Sequence, residues 1–301
     1  IANFSNKFFI YKLYKADLVT LASIYSKSQH YINFLDFFYP EIQEHYPDSK
    51  LLTQESYDRM RNSVIIEGYR YNEEDLQSYY DKFFEFRSKG QNPNLIATCI
   101  RNDDVDQLQT LLSQTNTSVD TIIKRSTFDR YIYIENDEPN LIEYSCYFGS
   151  IKCFKFLYQQ VKTIPESVSI FAVAGGCYEI IHIIERSQVE FSDKSLMTSI
   201  RFFRPEITSY LEETLNIEKT IEDVCQAIIY YNLRSLVDCE NIIRQDPNKH
   251  ESKGHNPLIL ASMNGDIDVV KYLITTFEGI DINAKDNNGN TQFIVRKVGH
   301  N

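Results

Sequence analysis

The chain has no tryptophan, and it has only ten glycines and eight prolines in 301 residues. An all-β sandwich or barrel turns often and uses Gly and Pro to do so, so their scarcity favours helices joined by short loops. Basic charge is also short, with 31 Lys and Arg against 42 Asp and Glu and a net charge of −11. The basic residues fall in scattered pairs such as Lys124–Arg125 and Arg296–Lys297. A phosphate-tracking surface needs them clustered, so neither nucleic acid nor an anionic membrane is an expected partner. No basic stretch leads into an apolar run at the start, so no signal peptide is expected. The most membrane-like run, residues 168–184, holds Gly175–Gly176 at its centre, then Glu179 and His182. Two short helices broken at the glycine pair explain it better than a membrane span.

Site chemistry is missing as well. The six cysteines, Cys99, Cys146, Cys153, Cys177, Cys225 and Cys239, form no Cys-x-x-Cys pair, and no His stands at zinc-ligand spacing from two of them. Each falls within an apolar helical pattern. They are expected to be small buried hydrophobes in a reducing, intracellular and cytoplasmic setting. There is no P-loop, Gly-x-Ser-x-Gly, His-Glu-x-x-His or dinucleotide fingerprint. The six histidines are dispersed, and His182 on an apolar helix is expected in the core. Asp281-x-Asn283-x-Lys285 begins like a calcium loop. It puts a lysine at the third ligand position, has no glycine next, and offers Gln292 where a bidentate Glu belongs. No catalytic set, cofactor or metal is expected.

What is present is a repeat. With 43% hydrophobic residues and 13% aromatics the chain is globular. The clearest unit runs from Asn256-Pro257-Leu258-Ile259-Leu260-Ala261 through Gly265 to Ile267, Val270 and Leu273. Pro257 suits a first helical turn, Gly265 a left-handed stop, and the last three residues one stripe of a second helix. With Gly265 as an anchor, a preceding helix and apolar residues at +2, +5 and +8 recur at Asp103, Gly149, Gly176 and Tyr231, and more weakly at Phe203. Successive anchors are 46, 27, 27, 28 and 34 residues apart. A bare helical hairpin needs about 25 to 28 residues, and one with a projecting β-turn about 33. The middle hairpins should lack long fingers and the last should have one. The long step should hold an insertion, with Tyr131-Ile-Tyr-Ile134 as a strand-like finger. Phe203, Pro205 and Tyr231 suggest turns built differently, because a side chain in the left-handed region costs about 1 kcal/mol.

Residues 254–295 closely resemble the ankyrin repeat. Asn256 to Ala261 stand where that family has Thr-Pro-Leu-His-x-Ala, and Gly265-Asp-Ile-Asp-Val-Val-Lys-Tyr-Leu273 matches its second helix almost residue for residue. Gly279 to Thr291 looks like the hairpin between repeats. Ile259 replaces the motif histidine, and Gln292 the proline of the next repeat. Residues 138–215 are similar to a divergent ankyrin-like domain expanded in trichomonad protists, which precedes regular repeats there. The resemblance implies an intracellular multi-repeat protein of a parasitic protist, with no established activity.

The expected fold is therefore all-α: an ankyrin-type helical-hairpin solenoid with an N-terminal helical cap. Residues 1–92 would be the cap, 93–253 divergent hairpins, and 254–301 a regular repeat plus the start of another. In the cap, Asp17 should open a helix carrying Leu18, Leu21 and Ile24, Pro40 should end a helix begun at Ser28, a further helix should span Leu51 to Glu67, and Asn72 to Asp75 should open the last. The resemblance implies a non-enzymatic protein-binding scaffold, with finger tips and first helices as contact surfaces. Here these are Asn283, Lys285, Asp286, Asn287 and Asn288, with Leu260, Met263 and Asn264. The alternatives are a two-partner adaptor using residues 1–92 as its own binding module, or a regulatory part of an enzyme.

Overall fold

The computed structural model describes residues 7–29, 32–62, 76–124, 126, 128, 138–287 and 289, and every regular element among them is a helix. The chain divides into two compact units, one of Asn3–Tyr144 with Lys155–Gln160, the other mainly of Ser145–Phe154 and Val161–Asn301.

The first unit holds α1 (Lys7–Lys15), α2 (Leu21–Ser28), α3 (Ile32–His45), α4 (Gln54–Asn62), α5 (Leu76–Lys89), α6 (Leu95–Arg101) and α7 (Val105–Thr115). Its core is aromatic: Phe37, Phe38, Phe83 and Phe128 are fully buried. Among these rings lies Arg87, 1% exposed. Its guanidinium donates to both carboxylate oxygens of Glu41 at 2.9 and 2.6 Å and to the Phe37 carbonyl at 2.8 Å. Tyr11, Phe37, Phe83 and Phe84 present ring faces to it at 4.4 to 5.5 Å. A buried charge needs both a counter-ion and donors satisfied, and this fork has them at all but Nε.

That pair explains one departure from the expected elements. Helix α3 does not end at Pro40 but runs through it to His45. A proline inside a helix costs about 3 kcal/mol. The turn beyond it carries Ile42, fully buried, and Glu41, the partner of Arg87, so tertiary packing outweighs the local penalty. Asp17 caps nothing. It sits in a turn at φ 56°, Leu18 is 72% exposed, and Thr20 accepts from the Ser23 amide at the start of α2 instead. Helix α4 starts later than Leu51, where Thr53 and Ser56 cap each other reciprocally. Residues 63–75 and the Tyr131–Ile134 finger lie outside the described residues. The base of that insertion is described: Ile122 and Asn140 form an antiparallel bridge, with the Ile123 amide on the Pro139 carbonyl at 2.8 Å.

Helices α8 (Leu141–Phe148) and α9 (Ile151–Gln160) form the next hairpin. The second unit continues with α10 (Val168–Gly175), α11 (Tyr178–Arg186), α12 (Asp193–Arg201), α13 (Pro205–Glu213), α14 (Ile221–Ile229), α15 (Leu233–Asp238), α16 (Glu240–Gln245), α17 (Pro257–Asn264) and α18 (Ile267–Thr276). First helices stack in series, α10 on α12, α12 on α14 and α14 on α17, and each packs on its own second helix. The buried faces are the apolar stripes: Ile200, Val224, Ile228, Leu258, Ala261 and Leu273 lie in one core.

All six anchors adopt the left-handed conformation, with φ of 52° at Asp103, 64° at Gly149, 79° at Gly176, 55° at Phe203, 58° at Tyr231 and 71° at Gly265. Five share one hydrogen-bond scheme, in which the amide of the residue after the anchor reaches the carbonyl five residues back. The bonds are Asp104 to Cys99, Ser150 to Ser145, Arg204 to Ser199, Asn232 to Ala227 and Asp266 to Ala261, at 2.8 to 3.1 Å. This is the Schellman closure, which satisfies carbonyls that a helix end leaves orphaned. Phe203 and Tyr231 therefore build the same turn as glycine does, contrary to expectation. Gly175 is required for a different reason: a Cβ there would strike the carbonyl of Cys146.

Three further expectations change. The long step before Gly265 is taken up by the extra helix α16 and by a tight turn in which the Glu251 amide bonds the His255 carbonyl at 2.8 Å. His182 is not in the core; its ring is half exposed and pairs with Glu185 at 3.4 Å. Cys177 is half-buried at the start of α11 rather than within a helix, whereas the other five cysteines are buried.

Two stability measurements test these contacts. In urea, Glu41→Gln should destabilise the first unit by about 3 to 5 kcal/mol, because it leaves a buried guanidinium uncompensated. The paired replacement Glu41→Leu with Arg87→Met should cost less than either change alone; equal losses would contradict the pairing. Asp223 supplies the second test. It is fully buried and caps α14, its Oδ2 accepting from the Thr220 amide at 2.8 Å while Oδ1 has no partner. Burial pushes its pKa up to about 6. The folded value exceeds the unfolded one near 4, so the fold takes up a proton between them and stability falls as pH rises through 6. Between pH 4 and 7 the stability of Asp223→Asn should gain on the unaltered chain by up to about 3 kcal/mol. A difference that does not change with pH would refute this.

Candidate interaction surface

The hairpin turns of the second unit are tied to one another by side chains. Arg204 donates to the carbonyls of Ala174 and Gly175 at 2.9 to 3.1 Å. Asn232 donates to Ile200 at 2.8 Å, and Asn264 to Ile228 at 2.9 Å. In each case a residue beside the left-handed anchor reaches the last carbonyls of the preceding first helix, which helix geometry leaves short of donors. Asn232 does two jobs, since its carbonyl oxygen also caps α15 through the Ser235 amide at 3.1 Å. Along the same edge, aromatic rings step from turn to turn: Tyr147 to Phe202 at 5.9 Å, then Arg201 between Phe202 and Tyr230 at 5.6 and 5.0 Å.

The fingers are tied too. Asn248 accepts from the Asp281 amide and donates to the Gly279 carbonyl, both at 2.8 Å, so one loop holds the next. The side chain of Asn287 fills the space beside Gly254 that a Cβ would need. His255 is held against Glu251 at 2.8 Å, and Asn256, fully buried, caps α17 through the Ile259 amide.

The residues expected at a contact surface have different fates. Asn283, Lys285 and Asn287 are exposed on the last finger and Asp286 is half-buried, its carbonyl accepting from Gly289 at 2.9 Å. Asn288 lies outside the described residues. Met263 is 36% exposed, and Asn264 is half-buried with its amide committed to Ile228. Leu260 is 5% exposed and belongs to the core, so it has no surface to offer. It shares that core with residues of α14 and α18. What the sequence reasoning passed over is the row at the turns: Tyr147, Arg201, Phe202, Phe203, Tyr230 and Tyr231. The signal was present as aromatic pairs abutting the anchors.

Titratable groups serve packing here. Burial and a hydrogen bond to Glu240 push Tyr272 up to about 12, and burial and Glu185 do the same to Tyr210. The two carboxylates fall below their usual range, chiefly because those tyrosines donate to them. The Tyr210–Glu185 pair links the second helices of neighbouring hairpins, and the Tyr272–Glu240 pair ties α18 to the extra helix α16. Burial raises the thiols of Cys99, Cys225 and Cys239, the last to about 12, which leaves them protonated and poor nucleophiles. Among the described residues no three His, Cys, Asp or Glu gather as metal ligands, and no helix is long and apolar enough to cross a membrane.

Tandem helical hairpins with one common turn, stacked first helix on first helix, define a helical repeat protein. Residues 223–295 match the family model for ankyrin repeats, in three copies. The match opens at Asp223, one hairpin upstream of the expected start of regular repeats. The ankyrin repeat domain of human ASB11 is similar over 69% of this chain and 96% of its own, with 13% identity and a TM-score of 0.40. No curated protein matches.

Removing the turn-to-turn ties should cost in proportion to burial. Asn232→Ala loses a cap and a buried donor and should destabilise by about 2 to 3 kcal/mol, whereas Asn264→Ala should cost about 1. Thermal unfolding of the two variants checks the order, and a larger loss at Asn264 would contradict it.

Proposed function

We propose that the chain is a non-enzymatic protein–protein interaction scaffold of ankyrin-repeat type that acts inside the cell. The observation that carries this reading is the run of ankyrin repeats at residues 223–295, whose last finger holds Asn283, Lys285 and Asn287 exposed. Stacked hairpins offer an extended surface, which suits a protein partner. Side chains at the finger tip, with Met263 on the adjoining first helix, form the proposed contact set. Residues 138–215 would be the divergent ankyrin-like domain of trichomonad type, and residues 1–92 a helical cap. A second reading, the two-partner adaptor, draws support from the aromatic core around Arg87, which joins α1, α3 and α5 independently of the repeats.

Quantitative pulldown with mass spectrometry tests both. Asn283→Ala with Lys285→Glu should remove a defined subset of the proteins that the unaltered chain captures; an unchanged set would rule out the finger. Residues 1–92 produced alone should fold and capture a different set if the adaptor reading holds, and an unfolded fragment that captures nothing would end it.

A further inference from the structure

Arg201 closes α12 and is unlike the other arginines of its unit. Its guanidinium lies between the rings of Phe202 and Tyr230, its Nε is buried without a partner, and no carboxylate or carbonyl engages it among the described residues. Acidic residues outnumber basic ones by eleven in this chain, so a half-buried guanidinium without a counter-ion is a notable vacancy. By contrast, Arg204 on the same turn is spent on Ala174 and Gly175. A partly desolvated cation held rigid by two rings is prepared for a charge-assisted, bidentate bond to a carboxylate.

The residues around it add a second, independent observation. Phe203 is 54% exposed, Tyr231 42% and Ile229 37%. Phe203 and Tyr231 occupy left-handed positions that Gly149, Gly176 and Gly265 fill elsewhere. Glycine would relieve the strain at both. Tyr231 recovers something through its hydroxyl, which donates to the Asn264 carbonyl at 3.3 Å. The Phe203 amide bonds the Ile200 carbonyl at 3.2 Å within the turn, but its ring stacks on no other ring among the described residues. Strain kept in order to hold an aromatic side chain in water points to use of that side chain.

We infer that this edge, with Arg201 at its centre and Phe203, Ile229 and Tyr231 on its flanks, receives an internal segment of a partner protein in which an Asp or Glu stands between apolar residues. The carboxylate pairs with Arg201, and the apolar neighbours cover Phe203 of one turn and Ile229 and Tyr231 of the next. Exposed apolar groups on both sides favour a side-chain carboxylate over a chain terminus, which would leave one flank bare. The inference rests on the scaffold reading and places a contact at the hairpin turns, apart from the fingers.

Phage-displayed random dodecapeptides selected on the full chain, then synthesised and measured by fluorescence anisotropy, provide the test. Enriched peptides should share an Asp or Glu flanked by aromatic or aliphatic residues. Arg201→Gln should weaken them about tenfold or more, as should Asn or Gln in place of the peptide's acid, and the two losses should not add. Phe203→Asn suits the left-handed turn, so the fold should be kept while binding weakens by about threefold or more. It therefore guards against the case in which Arg201→Gln merely unfolds. Peptides that bind Arg201→Gln and Phe203→Asn as well as the unaltered chain would overturn the inference. So would peptides that lose binding only when their C-terminus is amidated. Peptides sensitive to Lys285→Glu alone would sink this edge while leaving the scaffold reading intact, and no enrichment at all would sink both.

Discussion

Each first helix must stop, reverse within two residues and send the chain back against itself. The left-handed residue at the anchor makes that reversal possible, and much else in the second unit hangs from it. The anchor aims the following amide at the carbonyl five residues back, which closes the helix. It also sets the next residue as the N-cap of the return helix, as at Asp104, Asn232 and Asp266. Because successive first helices stack directly, the turns fall side by side. Arg204, Asn232 and Asn264 can then reach the carbonyls that the previous helix end still leaves open. Local chain geometry and repeat-to-repeat cohesion are thus parts of one device.

The device tolerates side chains that it does not favour. Two of the six anchors are aromatic and one is Asp. At about 1 kcal/mol each, the strain is affordable in an array whose neighbours support one another. Stability alone would select glycine, so the aromatic anchors set a surface property against a small loss of stability. The same edge carries Arg201 between two rings, and stacked aromatics and a cation give it a chemical character that the polar fingers lack.

The first unit is held in another way. Its first five helices show no repeat, and their rings close around a buried ion pair between residues 46 positions apart. Such a pair adds little net stability over an apolar core, but it is costly to break, so it fixes which faces of α3 and α5 meet. The continuation of α3 through Pro40 follows from that contact.

The six turns and the helical class were legible in the sequence because they depend on residues within one or two helical turns. Apolar spacing at +2, +5 and +8 from an anchor marks a return helix whatever lies beyond it, and Asn or Asp next to a helix start caps it locally. The ankyrin character of the C-terminal stretch rests on the same short-range pattern. Leu260 is buried, which no local pattern records, because its exposure depends on the helices packed against α17. Pro40 and the Arg87–Glu41 pair were missed for the same reason, and so was the stacking of Arg201 with Tyr230, 29 positions away. The sequence by itself determined where the chain turns. Which faces those turns bury, and which side chains they leave in water, only the tertiary structure decided, because burial is a property of neighbours distant along the chain.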